Sequence, residues 1–211
     1  MLASLFLFCL VGQSVAGHRE YNADQRAHGE EPVAYGSYLA SPHFWEALTE
    51  NWESEFLQIS AYVILTAVLF QRGSAESKDP DKRSEPADRS GKAARHRPNA
   101  PWPVRRGGLA LIVYQYSLSL AFLLLFALSI ALHAVAGARE HNAEQAAHAG
   151  GAYLSALQYA GTSRFWFESL QNWQSEFLAL LAMVGLSIVL RQRGSPESKP
   201  VDAPHGQTGG G

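Results

Sequence analysis

Cysteine is nearly absent: Cys9 is the single thiol in 211 residues. One thiol forms neither an intramolecular disulfide nor a thiolate metal cluster, and its place in an apolar run gives it the role of a small buried hydrophobe. The chain also lacks Gly-x-x-x-x-Gly-Lys-Ser/Thr, Gly-x-Gly-x-x-Gly, His-Glu-x-x-His and Gly-x-Ser-x-Gly. Phosphate loops, the zinc-protease helix and the nucleophile turn are thereby missing, which removes nucleotide-driven and standard hydrolytic mechanisms. No enzymatic activity, no cofactor and no nucleic-acid partner is expected.

Charge is missing from long stretches as well. The mean hydropathy of −0.10 suggests a soluble chain, but the mean conceals a division into charge-free and charge-dense segments. Leu109 to Ala138 contains no Asp, Glu, Lys or Arg over 30 residues. At a rise of about 1.5 Å per residue that is roughly 45 Å of helix, more than the ~30 Å hydrocarbon core of a bilayer requires. Met1 to Gly17 is likewise uncharged and aligns without gaps on Ala121 to Gly137, both ending in Val-Ala-Gly. The first span reads as a shortened copy of the third, and a longer native N-terminus is expected. A secretory signal peptide is the competing reading, since Ser14-Val15-Ala16 has acceptable cleavage spacing, but no Lys or Arg precedes the apolar run.

What the chain does contain is a repeat. Gly17–His28 matches Gly137–His148 at 8 of 12 positions. Phe44-Trp45 returns as Phe165-Trp166, Asn51-Trp-Glu-Ser-Glu-Phe-Leu57 as Asn172-Trp-Gln-Ser-Glu-Phe-Leu178, and the segment Gln71–Lys78 as Gln192–Lys199. Each copy carries an apolar run at both ends, so each is read as a helical hairpin. The expected fold is an all-α membrane protein with four transmembrane helices in two tandem parallel-repeat hairpins. The first hairpin covers 1–78, with spans at about 1–17 and 52–71; the second covers 107–199, with spans at about 109–136 and 173–191. Such a repeat relates its halves by an axis along the membrane normal.

Basic residues set the orientation. Only Arg19, Arg26, Arg139 and Arg164 lie between paired spans, and the other 13 of 17 lie in the middle of the chain and its C-terminal end. By the positive-inside rule those 13 are cytoplasmic, as are both termini. Residues 79–106, rich in Pro and mixed charge, read as a disordered cytoplasmic linker. From Gly73 to Gly107, 9 basic residues face 5 acidic ones, enough for weak attraction to anionic lipid. Trp102 beside Arg105 and Arg106 reads as an interface anchor, and residues 200–211 as a flexible tail. At the end of the last span, Arg191 and Arg193 complement the helix dipole and Gly194 supplies a left-handed closing residue. Ser195 then suits the cap of a short turn near Glu197.

Candidate chemistry follows from span length. Phe177–Leu190 is 14 residues and Phe56–Phe70 is 15, short of the roughly 20 a span needs. Each must therefore draw in its Asn-Trp-x-Ser-Glu segment, which carries Glu55 and Glu176 below the outer headgroups. His133 and Gln13 lie at matching depth, four residues before Gly137 and Gly17. The expected result is an outer-leaflet polar layer of Gln13, Glu55, His133 and Glu176, either joining the helices by hydrogen bonds or handling a proton or solute. Outside the membrane, Glu20, Asp24 and His28 share the i, i+4, i+8 spacing of Glu140, Glu144 and His148. Six such donors resemble a carboxylate-bridged metal inventory, although a solvated helix face is the plainer account. Trp45, Trp52, Trp166 and Trp173 read as outer-interface anchors, and Ser41-Pro42 as the N-cap and first residue of a helix.

The two Asn-Trp-x-Ser-Glu-Phe-Leu copies and the two Gln-Arg-Gly-Ser-x-Glu-Ser-Lys copies resemble an uncharacterised family of bacterial multi-pass membrane proteins, a domain of unknown function. The resemblance implies a location in the bacterial inner membrane and carries over no functional residue. The lipid bilayer is the expected partner. Self-association is expected because four short spans enclose little interior. A role in envelope maintenance or stress response leads, with small-solute or proton transport through the polar layer as the alternative.

Overall fold

A computed structural model describes residues 1–68, 99–147 and 153–208. Residues 79–98 of the expected linker, the Gln71–Lys78 motif and His148 lie outside them. Of the described residues 77% are helical and none lies in a strand. In order the helices are α1 (Leu2–Ala27), α2 (Tyr35–Leu39), α3 (Pro42–Val68), α4 (Trp102–Arg106), α5 (Gly108–Gln115), α6 (Ser117–Ala147), α7 (Ala156–Tyr159) and α8 (Ser163–Val189).

Among the described residues three helices are long and apolar enough to cross a membrane: Leu2–Ala27, Ser117–Ala146 and Ser163–Val189. Their apolar side chains face outward. None of the most apolar stretch of α8 is buried within the chain, and Leu124, Leu178 and Leu181 are all more than 60% exposed. Outward apolar surface on this scale needs an apolar solvent. Helix α3, which carries the expected span at about 52–71, runs to Val68 at the edge of the described residues.

The chain divides into two compact units, Met1–Glu53 with Ala127–Asn172, and Ser54–Phe126 with Trp173–Gly211. The first unit holds two small cores. Tyr38, Phe44 and Leu48 pack with Leu10, Tyr21 and Trp52. Ala134, Ala138, Tyr159 and Phe165 pack with Ile130, Leu154 and Ala160. Local sequence begins its helices as expected at Ser41, whose Oγ accepts the Phe44 N–H at 3.3 Å. The Thr162 hydroxyl does the same for Phe165 at 3.3 Å. Ser155 and Gln158 form a reciprocal capping box on α7, satisfying donors that a helix start leaves open.

The second unit departs from expectation at three places. The uncharged stretch from Leu109 is not one helix: α5 stops at Gln115 and α6 starts at Ser117. Tyr116 adopts φ −106°, ψ 9°, and the Ser117 hydroxyl donates to the Tyr114 carbonyl at 2.8 Å. A side chain thus competes for a helix carbonyl, as Ser does wherever it can bond backward. Gly194 is left-handed, φ 82°, but it does not close α8, which ends at Val189. The Arg191 guanidinium closes it instead, donating to the carbonyls of Ile188 at 3.2 Å and Leu190 at 2.8 Å. The Ser195 Oγ accepts from the Glu197 N–H at 3.2 Å in the turn that follows. Residues 200–208, expected as a flexible end, turn back on Lys199, whose Nζ donates to the carbonyls of His205 at 2.7 Å and Gln207 at 3.2 Å. Arg106 lies over the Trp102 ring at 5.0 Å.

Candidate functional site

The site lies in the first unit and is built on two asparagine locks. The Asn22 amide accepts the Val33 N–H at 2.8 Å and donates to the Val33 carbonyl at 3.0 Å. Asn142 grips Leu154 in the same two directions, at 2.8 and 2.9 Å. Each lock fixes the strap that follows its helix, so that α2 and α7 bring Tyr38 and Tyr159 against Gly17 and Gly137. Two-way bonding by one amide satisfies both backbone polar groups of a half-buried residue.

Helix α3 then presents Glu46, Glu50 and Glu53, spaced i, i+4 and i+7 and so on one face. Helix α6 contributes His133, and α8 contributes Arg164, Glu168 and Asn172. The His133 and Glu53 side chains are both 0% exposed, and Nδ1 of the imidazole meets Glu53 Oε2 at 2.8 Å. An ionised carboxylate only accepts, so Nδ1 carries a proton. The imidazole stacks on Phe165 with centroids 4.7 Å apart and planes inclined by 30°. Its other nitrogen, Nε2, stands 3.5 Å from Glu168 Oε2.

A single phenol links the remaining acids. The fully buried Tyr159 hydroxyl lies 3.0 Å from Glu46 Oε1 and 2.9 Å from Glu168 Oε2. Arg164 Nε donates to Glu168 Oε1 at 2.9 Å, and Arg164 Nη1 donates to Glu144 Oε2 at 2.7 Å. Asn172 Nδ2 donates to Glu50 Oε1. Glu46 precedes the apolar part of α3. Burial, reinforced by the Glu168 charge, pushes its carboxyl up to about 7. The Tyr159 phenol is raised above its ordinary value, by burial first and then by Glu46. Both effects penalise the anion in a low-dielectric site already holding negative charge.

Of the residues singled out in the sequence, His133 sits at the centre of this cluster. Gln13 is exposed on α1. Glu55 is exposed and Glu176 half-buried in the second unit, where Gln58 Nε2 donates to the Glu176 carbonyl at 3.0 Å. In the external stripe, Glu20 is exposed, and His28 pairs with Asp24 at 3.4 Å on the surface. Glu140 pairs with His43 at 3.2 Å, and Glu144 with Arg164. Among the described residues the donors that converge are Glu46, His133 and Glu168, within 4.8 Å of one another. Glu46, Glu53, Glu168 and Tyr159 were missed in the sequence. The available signal was the i, i+4, i+7 acidic face of α3.

Helices suited to lipid, joined to a buried carboxylate–histidine cluster, define a membrane protein with a polar centre. The chain belongs to the family described as Domain of unknown function (DUF6766), whose model matches residues 1–210. No curated protein and no solved structure matches it.

Proposed function

We propose that the protein is a non-enzymatic, four-span integral protein of the bacterial inner membrane, with parallel hairpins and cytoplasmic termini, that binds a cation at the buried cluster and passes it across the bilayer. The observation that carries this reading is a deficit of positive charge around His133. Glu46, Glu50, Glu53 and Glu168 converge on one imidazole and one guanidinium, and the guanidinium is shared with Glu144. Glu46 and Glu53 are buried and Glu50 and Glu168 half-buried, and carboxylates in such excess cost several kcal/mol unless cations or protons reach them. The recurrence of the hairpin in the sequence and the asymmetric distribution of Lys and Arg support the four-span topology. Cysteine labelling from each side of intact membranes tests it, with the C-terminal end reacting from the cytoplasm.

Purified protein in proteoliposomes with internal pH- and metal-sensitive dyes tests the transport. Wild-type vesicles should pass protons or divalent cations faster than empty ones, and Glu53→Gln and Glu168→Gln should abolish the difference. Folded wild-type protein with no flux above empty vesicles would replace this reading with a structural role in envelope maintenance.

A further inference from the structure

We propose that Glu46, His133 and Glu168 bind one first-row divalent metal ion, with Glu53 orienting the imidazole. The inference rests on the cation-binding reading above and names the class of cation.

Three observations point to it. First, the candidate donor atoms of Glu46, His133 and Glu168 come from three helices and already lie within 4.8 Å of one another. Donors around a common ion with bonds of about 2.1 Å stand roughly 3.4 Å apart in a tetrahedral site, so movements on the order of 1 Å would close the set. Second, His133 Nε2 is fully buried and makes no hydrogen bond. Glu53 holds a proton on Nδ1, which leaves Nε2 to face Glu168 Oε2 across 3.5 Å. A nitrogen facing a carboxylate at that distance carries either a proton or a metal ion in its place, and a metal ion takes the position in exchange for that proton. A carboxylate holding the far nitrogen of a histidine is also the arrangement that orients metal-binding imidazoles.

Third, one phenolic proton serves two acceptors. The Tyr159 hydroxyl lies within hydrogen-bond distance of both Glu46 and Glu168, but it carries a single hydrogen. With both carboxyls ionised, one carboxylate oxygen therefore retains unused acceptor capacity facing the same space. An imidazole with two carboxylates and no thiolate suits Mn²⁺, Fe²⁺, Co²⁺ or Zn²⁺. The nitrogen ligand disfavours Mg²⁺ and Ca²⁺, and the absence of sulfur disfavours Cu⁺.

The test uses full-length protein in detergent, stripped with EDTA and titrated with Co²⁺ alone, followed by visible absorption and equilibrium dialysis. The wild type should bind one Co²⁺ per chain. Glu46→Gln and Glu168→Gln should weaken binding by more than about tenfold, and Glu53→Gln by roughly 10- to 100-fold through loss of imidazole orientation. Glu31→Gln, on the surface, should bind as wild type. Circular dichroism and gel filtration establish folding; if Glu168→Gln fails to fold, Glu46→Gln decides, since it leaves the Arg164 pair intact.

No saturable binding to folded wild type overturns the inference, as does unchanged affinity in Glu46→Gln or loss of binding in Asp24→Asn, which would move the metal to the exposed stripe. Binding lost in Glu46→Gln with no vesicle flux keeps the metal site and removes transport. Flux without Co²⁺ binding keeps transport and removes the metal site.

Discussion

Tyr159 lies against Gly137 so closely that a Cβ on that glycine would stand 2.7 Å from the ring Cζ and 2.8 Å from Glu46 Oε1. Both neighbours are held: the phenol is fully buried and bonded to two carboxylates. Gly137→Ala should therefore destabilise the protein by about 1–3 kcal/mol, the usual cost of overpacking. A thermal melt in detergent measures it, and an unchanged midpoint would mean that the α7 strap is free to shift.

The lock of Asn142 on Leu154 sets where that strap begins. Replacing Asn142 by Ala leaves the Leu154 N–H and carbonyl without their amide partner, at distances now 2.8 and 2.9 Å. An unpaired group costs about 1–3 kcal/mol when fully buried, and Leu154 is half-buried, so the two together fall in about that range. Asn142→Ala should lower stability within that range and speed hydrogen exchange at the Leu154 amide while leaving the Val33 amide unaltered. Equal acceleration at both amides would show that the locks are not local.

His43 supplies a pH dependence. Its hydrogen bond to the Glu140 carboxylate at 3.2 Å raises its pKa above 6.5. Glu46 and Glu20 add attraction, and the rings of Tyr21 and Tyr38 complete its surroundings. A group whose folded pKa is raised contributes its full stabilisation below the unfolded value and loses it as pH rises through the folded one. The imidazole is 37% exposed, so water screens the pair and its contribution is about 0.2–1 kcal/mol. The stability difference between wild type and Glu140→Gln should be present at pH 5.5 and shrink by pH 9. A pH-independent difference would assign the loss to packing.

The residues that hold the straps recur in the sequence and those of the cluster do not, for one physical reason. Residues that hold the straps recur between the copies: Gly17 and Gly137, Asn22 and Asn142, Tyr38 and Tyr159, Phe44 and Phe165. They solve the same packing problem twice, so the same side chains serve. The residues around His133 differ between the copies. Gln13 stands where the second copy has His133, Phe167 matches Glu46, Ala47 matches Glu168, and Gln174 matches Glu53. Attention to repeated acids leads to Glu55 and Glu176, whereas the acids that His133 meets are unrepeated. Depth alone could not choose between Glu53 and Glu55, because two residues along a helix turn the side chain by about 200°. Glu55 is exposed, and Glu55→Gln should change stability by less than about 0.5 kcal/mol.

Glu53 and His133 invite the sharpest separation of stability from function. Removing one member of a fully buried pair strands the other, so Glu53→Ala should cost about 3–5 kcal/mol, measured by denaturant titration in detergent. Glu53→Gln, which keeps an acceptor for Nδ1, should cost less. Replacing both members by leucine removes the desolvation penalty together with the attraction, and such exchanges are commonly neutral or stabilising. Glu53→Leu with His133→Leu should therefore fold at least as stably as Glu53→Ala and recover most of its deficit. The same protein should pass no cation in vesicles, because neither the imidazole nor its carboxylate remains. A stable double variant with wild-type flux would show that the pair only joins helices, and an unstable one would show that its hydrogen bonds hold more of the fold than the pair itself.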